Sequence, residues 1–284
     1  MGNVTEIQYM SRRNTKQTVQ MLPGGEEYLV LSTGEINEIE HHQTRKDNKK
    51  GLYKTFANAR AVINTNVTDV KKVRWCTLTY KENMTNTKRL YQDFKKFNMR
   101  FLYYCKENGY SKPEYITMAE PQGRGAWHMH LLYIWMDMDA PYIPNAEFRK
   151  LWGHGFVKIK KLDDVDNVGA YLTAYLGDME WEDMPDVMRA NGKEHKIVEV
   201  EEGGKKVKKT IIKGARLDLY PANFNMLRCS RGIKRPIVEM MSQPDAEKKV
   251  LGATRTYENS IRLFDQETGF ESFIIKEQYN SVRR

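Results

Sequence analysis

The chain has 284 residues, 40% of them hydrophobic, with formal net charge +9 and a pI near 9.2. This composition excludes a wholly disordered chain, and the length suits one or two domains. The longest apolar run, around Leu131–Met136, falls far short of the roughly 20 residues of a spanning helix, so no membrane is expected.

The amino terminus lacks the apolar core of a signal peptide. The three cysteines, Cys76, Cys105 and Cys229, are widely spaced. They form neither a disulfide framework nor a zinc knuckle. A cytoplasmic setting, in a bacterial host, is expected. The excess of Lys and Arg favours a polyanionic partner, nucleic acid foremost.

Residues 1–70 read as a polar, basic amino-terminal extension holding the cluster His41–Gly51. From residue 71 the patterning sharpens. Val73–Tyr80 reads as a strand from its β-branched and aromatic content. Thr87–Asn108 reads as a helix, with Leu90, Phe94, Phe97, Phe101 and Tyr104 at helical spacing, Thr85 or Asn86 as cap and Gly109 as stop. Pro113–Glu120 and His128–Trp135 are strands around a Gly-Arg-Gly turn. Asn145–Gly153 is a short helix, Gly155–Leu162 a strand and Val165–Asp178 a helix ended by Gly177.

The order βαββαβα predicts an α+β fold, an antiparallel or mixed sheet with helices packed on it. Residues 71–178 form the central domain. Residues 179–284 form a carboxy-terminal accessory region rich in β-hairpins. One hairpin, His195–Ile212, turns at Gly203–Gly204, and another, Arg255–Asn280, turns near Glu267–Gly269.

The chemistry concentrates in Ala119–Ile134. Side chains two apart in a strand share a face, so His128 and His130 point the same way and Met129 points to a core. If Gly123-Arg124-Gly125 form a three-residue turn, then Gln122 opposes Ala126, Pro121 opposes Trp127 and Glu120 opposes His128. Opposed residues share a face, so Glu120, His128 and His130 converge. Two imidazoles and a carboxylate suit a divalent ion such as Mn²⁺ or Mg²⁺. Pro121 lacks a ladder donor and must sit at an edge or a bulge.

Tyr171 and Tyr175 are i, i+4 neighbours on the last helix. With Val165, Val168, Leu172 and Leu176 as the apolar centre, Tyr171 lies farther from it and is the better candidate to reach a site. A phenol can attack phosphorus when a base or metal assists it. Arg124, Lys158, Lys160, Lys161, Arg228, Arg231, Lys234 and Arg235 are candidate phosphate contacts. Trp127, Trp152 and Tyr133 either stack on unpaired bases or fill the core. His154, between glycines, reads as a turn residue.

GRGAWHMHLL followed some forty residues later by AYLTAY resembles the HUH endonucleases, above all the rolling-circle replication initiators (Rep proteins) of plasmids and phages. His128-Met129-His130 matches the family's His-hydrophobic-His motif, Glu120 its upstream acidic ligand, and Trp75–Tyr80 its first, less specific motif. Tyr171–Tyr175 falls on the family's Tyr-x-x-Lys-Tyr, with Ala174 where some members carry lysine. Weaker likeness continues into Tyr220–Pro236.

The resemblance implies a HUH palm of ferredoxin-like type and a metal-dependent, site-specific nickase acting on single-stranded origin DNA. Tyr171 is then the nucleophile of a 5′-phosphotyrosine link that is later reversed to join strands. Tyr175 is either a second nucleophile or packing. A relaxase or a HUH transposase would share this chemistry, and a non-catalytic origin-binding protein would need neither metal nor tyrosine. The sequence has no GxxxxGK[ST] phosphate loop. A host helicase and polymerase are therefore the expected partners, and no small-molecule cofactor is expected.

Overall fold

The protein is described by a computed structural model over residues 2–13, 17–39, 41, 48–162, 167–177, 179–180, 195–202, 205–212, 215–266 and 269–283. In chain order the elements are β1 (Val4–Met10), β2 (Val19–Met21), β3 (Glu27–Val30), β4 (Ile36–Glu38), α1 (Lys49–Asn66), β5 (Val73–Thr79), α2 (Thr87–Glu107), β6 (Glu114–Pro121), β7 (Trp127–Ile134) and α3 (Asn145–Trp152). They continue with β8 (Val157–Lys160), α4 (Val168–Gly177), β9 (Met179–Glu180), β10 (His195–Glu202), β11 (Lys205–Ile212), β12 (Leu227–Cys229), α5 (Gln243–Lys249), β13 (Thr254–Phe264) and β14 (Glu271–Asn280). A 3-10 turn spans Ala215–Leu219. Among the described residues no helix is long and apolar enough to cross a membrane.

The chain divides into two compact units. The larger comprises residues 1–2 and 43–237. Its centre is a five-stranded sheet of order β12-β6-β7-β5-β8, antiparallel throughout. This is the α+β fold expected from the sequence. The apolar side chains of α2 recur every three or four residues, so they line one stripe of the helix. That stripe buries Leu90, Phe94, Phe97 and Phe101 against the sheet. Phe101 packs on Tyr133 at 4.5 Å between ring centres, and Phe94 meets Tyr115 edge-on at 5.1 Å. Asn86 caps the helix, accepting from the N–H groups of Lys88 and Arg89. Phe148 of α3 closes the cluster against Phe97 and Phe101.

Residues 1–70 carry more structure than their polarity suggests. Lys49–Asn66 is helical, with Ala59, Val62 and Ile63 buried, and α1 packs against α4. β12 was also unforeseen. Its three residues pair antiparallel with Ile116–Met118 and complete the sheet beside β6.

The second unit comprises residues 3–42 and 238–284. It holds two three-stranded sheets, β1-β14-β13 and β2-β3-β4. Here the first strand pairs with the last, Val4 opposite Asn280. Both hairpins anticipated in the carboxy-terminal half are present. Val200 opposes Val207 across β10 and β11, and Phe264 opposes Glu271 across β13 and β14. The turn residues 203–204 and 267–268 lie outside the described residues.

Candidate active site

The β6–β7 hairpin turns where its glycines require it. The Gln122 N–H donates to the Ala126 carbonyl at 2.7 Å, and the Gly125 N–H donates to the Gln122 carbonyl at 2.8 Å. Gly125 has φ +85°, a left-handed conformation that glycine adopts without steric cost. The register that follows opposes Pro121 to Trp127 and Glu120 to His128. β12 reaches along β6 only to Met118, with one further bond from the Ala119 N–H to the Met226 carbonyl. Pro121 therefore lies beyond the strand pairing on that flank, where a missing donor costs no ladder bond.

Strand alternation sends Met129 into the core, fully buried, and turns His128 and His130 to the other face. Thr77 opposes His130 and Thr79 opposes His128, and Lys158 opposes Thr77. One face of the sheet thus presents Glu120, His128, His130, Thr77, Thr79 and Lys158 together.

The polar contacts form a chain. His130 Nε2 donates to Glu120 Oε2 at 2.7 Å, and the Thr77 hydroxyl approaches His130 Nδ1 at 3.3 Å. A carboxylate oxygen only accepts, so Nε2 is the donor in the contact with Glu120. The other carboxylate oxygen, Oε1, is 2.7 Å from an Arg216 guanidinium nitrogen, and the same nitrogen donates to the Pro121 carbonyl at 2.9 Å. Burial alone would raise the Glu120 pKa. The charges of His130 and Arg216 and the His130 hydrogen bond outweigh it and hold the carboxyl below its ordinary value.

His128 differs from its neighbour. Its Nε2 is buried and has no hydrogen-bond partner. Burial foremost lowers its pKa from 6.5 to about 4, against the opposing pull of Glu120. The ring is neutral near pH 7, and a buried ring nitrogen without a protein partner calls for an explanation. The His128 and His130 ring centres stand 6.5 Å apart.

Among the described residues no three His, Cys, Asp or Glu side chains form a ready cage for a metal ion. His130 and Arg216 instead occupy both oxygens of Glu120. The donor chemistry nevertheless fits a divalent ion. It comprises a neutral imidazole with an unpartnered nitrogen, a second imidazole and an ionised carboxylate.

Tyr171 and Tyr175 both fall within α4. Their side chains, with those of Val165 and Leu176, lie outside the described residues. The helix itself is firmly seated. Val168 and Leu172 are in the core, and the Gly169 N–H donates to Asn64 Oδ1 of α1 at 2.9 Å. Asn64 Nδ2 donates in turn to Asn167 Oδ1 at 3.0 Å, and Asn167 Oδ1 caps α4 by accepting from Ala170 N–H at 3.0 Å. A Cβ at Gly169 would stand 2.6 Å from the Arg60 carbonyl oxygen, so only glycine permits this approach of the two helices.

The proposed DNA contacts are dispersed. Arg124 is exposed at the hairpin tip, and Lys158, Lys160, Lys161, Arg231, Lys234 and Arg235 are exposed too. Only Lys158 and Lys160 among them stand on the face of the histidines, Lys160 opposite Trp75 with its Nζ 5.6 Å from that ring centre. The exposed Arg228 lies over the Tyr91 ring, 3.3 Å from its centre. Trp127, Trp152 and Tyr133 do not offer faces to bases. All three are buried. Their polar atoms are bonded inside, to the Thr85 carbonyl, the Thr79 carbonyl and Asn98 Oδ1 respectively. His154 packs on Tyr80 and Trp152, with Nε2 3.7 Å from Asp93 Oδ1.

Arg216 is the member of this cluster that sequence reasoning missed. It stands some ninety residues after the hairpin in an irregular segment. The sequence signal was no more than one basic residue among several before the Tyr220–Pro236 stretch.

The segment that carries this sheet and cluster is also the one that a comparison with known families singles out. Residues 73–180 match the family model of the replication-associated protein ORF2/G2P. That match supports a role in replication initiation. No curated protein and no solved structure matches the chain.

Proposed function

We propose that this protein is a HUH-type nickase and strand transferase that initiates rolling-circle replication on single-stranded origin DNA. The observation that carries the reading is His128, neutral and with an unpartnered Nε2, set in register with Glu120 and two residues from His130. These residues lie within the segment that the family model matches. A Mn²⁺ or Mg²⁺ ion bound by Glu120, His128 and His130 would supply Lewis-acid polarisation of the scissile phosphate.

The phenol of Tyr171 attacks phosphorus in line. A phosphorus–oxygen bond forms to the tyrosine, the bond to the 3′ oxygen breaks, and the phenol's proton is lost as the departing oxygen gains one. The products are a 5′-phosphotyrosine and a free 3′-hydroxyl, which primes a host polymerase behind a host helicase. Because the link is itself a phosphodiester, a later 3′-hydroxyl reverses the step and joins strands. Tyr175, one turn on, serves either as a second nucleophile or as packing.

A non-catalytic origin-binding protein is the second reading. It is favoured by the engagement of both Glu120 oxygens with protein groups. One assay separates the two. The protein is incubated with a labelled random-sequence pool of single-stranded DNA and Mn²⁺, and denaturant-resistant adducts are counted. An adduct that disappears in Tyr171→Phe, persists in Tyr175→Phe and is lost in His128→Ala is the expected result. The nicking reading fails if wild type forms no adduct. Loss in Tyr175→Phe alone moves the nucleophile to that residue.

A further inference from the structure

Arg216 is a charged side chain buried against the proposed site, and the nicking chemistry as described leaves it unused. Its 3-10 turn is tied to β6 at two points. The guanidinium donates to the Pro121 carbonyl, and the hydroxyl of the following Tyr220 donates to the Ala119 carbonyl at 3.2 Å. The same turn packs against α4, the helix of Tyr171. It therefore touches both the strand that carries Glu120 and the helix that carries the proposed nucleophile.

We infer that Arg216 binds a phosphate of the DNA strand held at the Glu120–His128–His130 cluster, an inference that rests on the nicking reading. Accessibility allows it. The Arg216 side chain is 10% exposed and that of His130 13%, so neither is sealed from solvent, and both meet the same Glu120 carboxylate. Chemistry favours it. A planar guanidinium matches phosphate oxygens with parallel N–H donors, which a lysine cannot do. Energetics point the same way. A buried Arg–carboxylate pair seldom stabilises a fold more than apolar residues of the same volume, so stability is a weak reason for an arginine here. In a water-poor site, a fixed positive charge aimed at a phosphate is worth far more than in solvent.

The competing role is that of a positioning residue, which orients Glu120 and never meets DNA. The two differ in a measurement that needs no metal and no cleavage. Binding of a labelled oligothymidylate is followed in EDTA over a range of salt concentrations, and the slope of log affinity against log salt is taken. Each phosphate contact on a single strand adds about 0.7 to that slope. The informative comparison is Glu120→Gln against Glu120→Gln/Arg216→Gln, both checked for folding by urea unfolding, because neither leaves a buried carboxylate without its partner while Glu120→Gln alone leaves the Arg216 charge without one. Removing both charges together also protects the fold.

The expected result is a slope shallower by about 0.7 in the double variant. In the Glu120-intact background, Arg216→Gln is expected to slow adduct formation at saturating Mn²⁺ by roughly 10²-fold, with Arg216→Lys recovering part of the loss. An unchanged slope overturns the inference. So does an Arg216→Gln defect that added Mn²⁺ repairs, the behaviour of a residue acting through Glu120. Absence of any wild-type adduct sinks the nicking reading instead, and the salt slope still decides whether Arg216 meets phosphate.

Discussion

Gly169→Ala separates the intrinsic preference of a helix from the demands of its packing. On propensity alone, alanine should stabilise α4 by up to about 1 kcal/mol. The new Cβ, however, would lie 2.6 Å from the Arg60 carbonyl oxygen and 2.8 Å from Asn64 Oδ1. Ordinary carbon contacts begin near 3.5 Å, so α4 must retreat from α1 by on the order of 1 Å. Overpacking of this kind costs roughly 1–3 kcal/mol. The Gly169–Asn64 hydrogen bond, worth about 1 kcal/mol, is strained with it. The packing terms win, and a net loss of about 1–3 kcal/mol is expected. Urea unfolding reads it as a lower midpoint at unchanged slope. Displacing the helix of Tyr171 by about 1 Å should also slow adduct formation by about 10²-fold. A variant that is more stable than wild type and forms adduct at the wild-type rate would refute the packing argument.

Two further outcomes follow from the same structure. In metal-free protein, His128 is held neutral with its pKa near 4, against about 6.5 in the unfolded chain. Between those values the unfolded state binds a proton that the native state does not. Stability is therefore complete above about pH 6.5 and declines as pH falls towards 4, by on the order of 3 kcal/mol. Glu120, whose pKa is also lowered, adds a loss in the same direction below its ordinary carboxylate range. Urea midpoints from pH 7 to 4.5 in EDTA should fall for wild type and flatten for His128→Gln, and a flat wild-type profile contradicts the burial of a neutral His128. Asn86→Ala removes the oxygen that caps α2 and should cost about 1 kcal/mol, with Asn86→Asp retaining most of the stability in thermal unfolding.

Much of the larger unit was legible because its signals are local. The stripe from Leu90 to Phe101, the Asn86 cap and the stop at Gly109 all lie within one helix. The hairpin register rests on a three-residue turn whose glycines stand beside the strands they join, so the opposition of Glu120 to His128 could be read directly. α1 was missed because its apolar residues, Leu52, Phe56, Ala59, Val62 and Ile63, are interleaved with Lys, Arg and Asn and follow directly on the charged cluster His41–Gly51. The sequence left open whether Trp127, Trp152 and Tyr133 stack on bases or fill the core, and the structure puts all three in the core. Composition identifies an aromatic ring but not what covers it, which here is Tyr220 and Phe224 for Trp127, Phe101 for Tyr133, and Phe97 and Tyr80 for Trp152.

By itself, the sequence determined the elements from β5 to α4, the two later hairpins, and which side chains of the β6–β7 hairpin share a face. Periodicity and turn geometry act over a few residues, and the chain carries them wherever it folds. Tertiary structure alone decided that the carboxylate of Glu120 meets Arg216, that α4 is seated on α1 through Asn64 and Gly169, and that the first strand pairs with the last. Each of these joins residues about a hundred or more positions apart. Their closure is driven by burial of apolar faces and by buried polar groups needing partners, and periodicity marks such a face without naming what covers it.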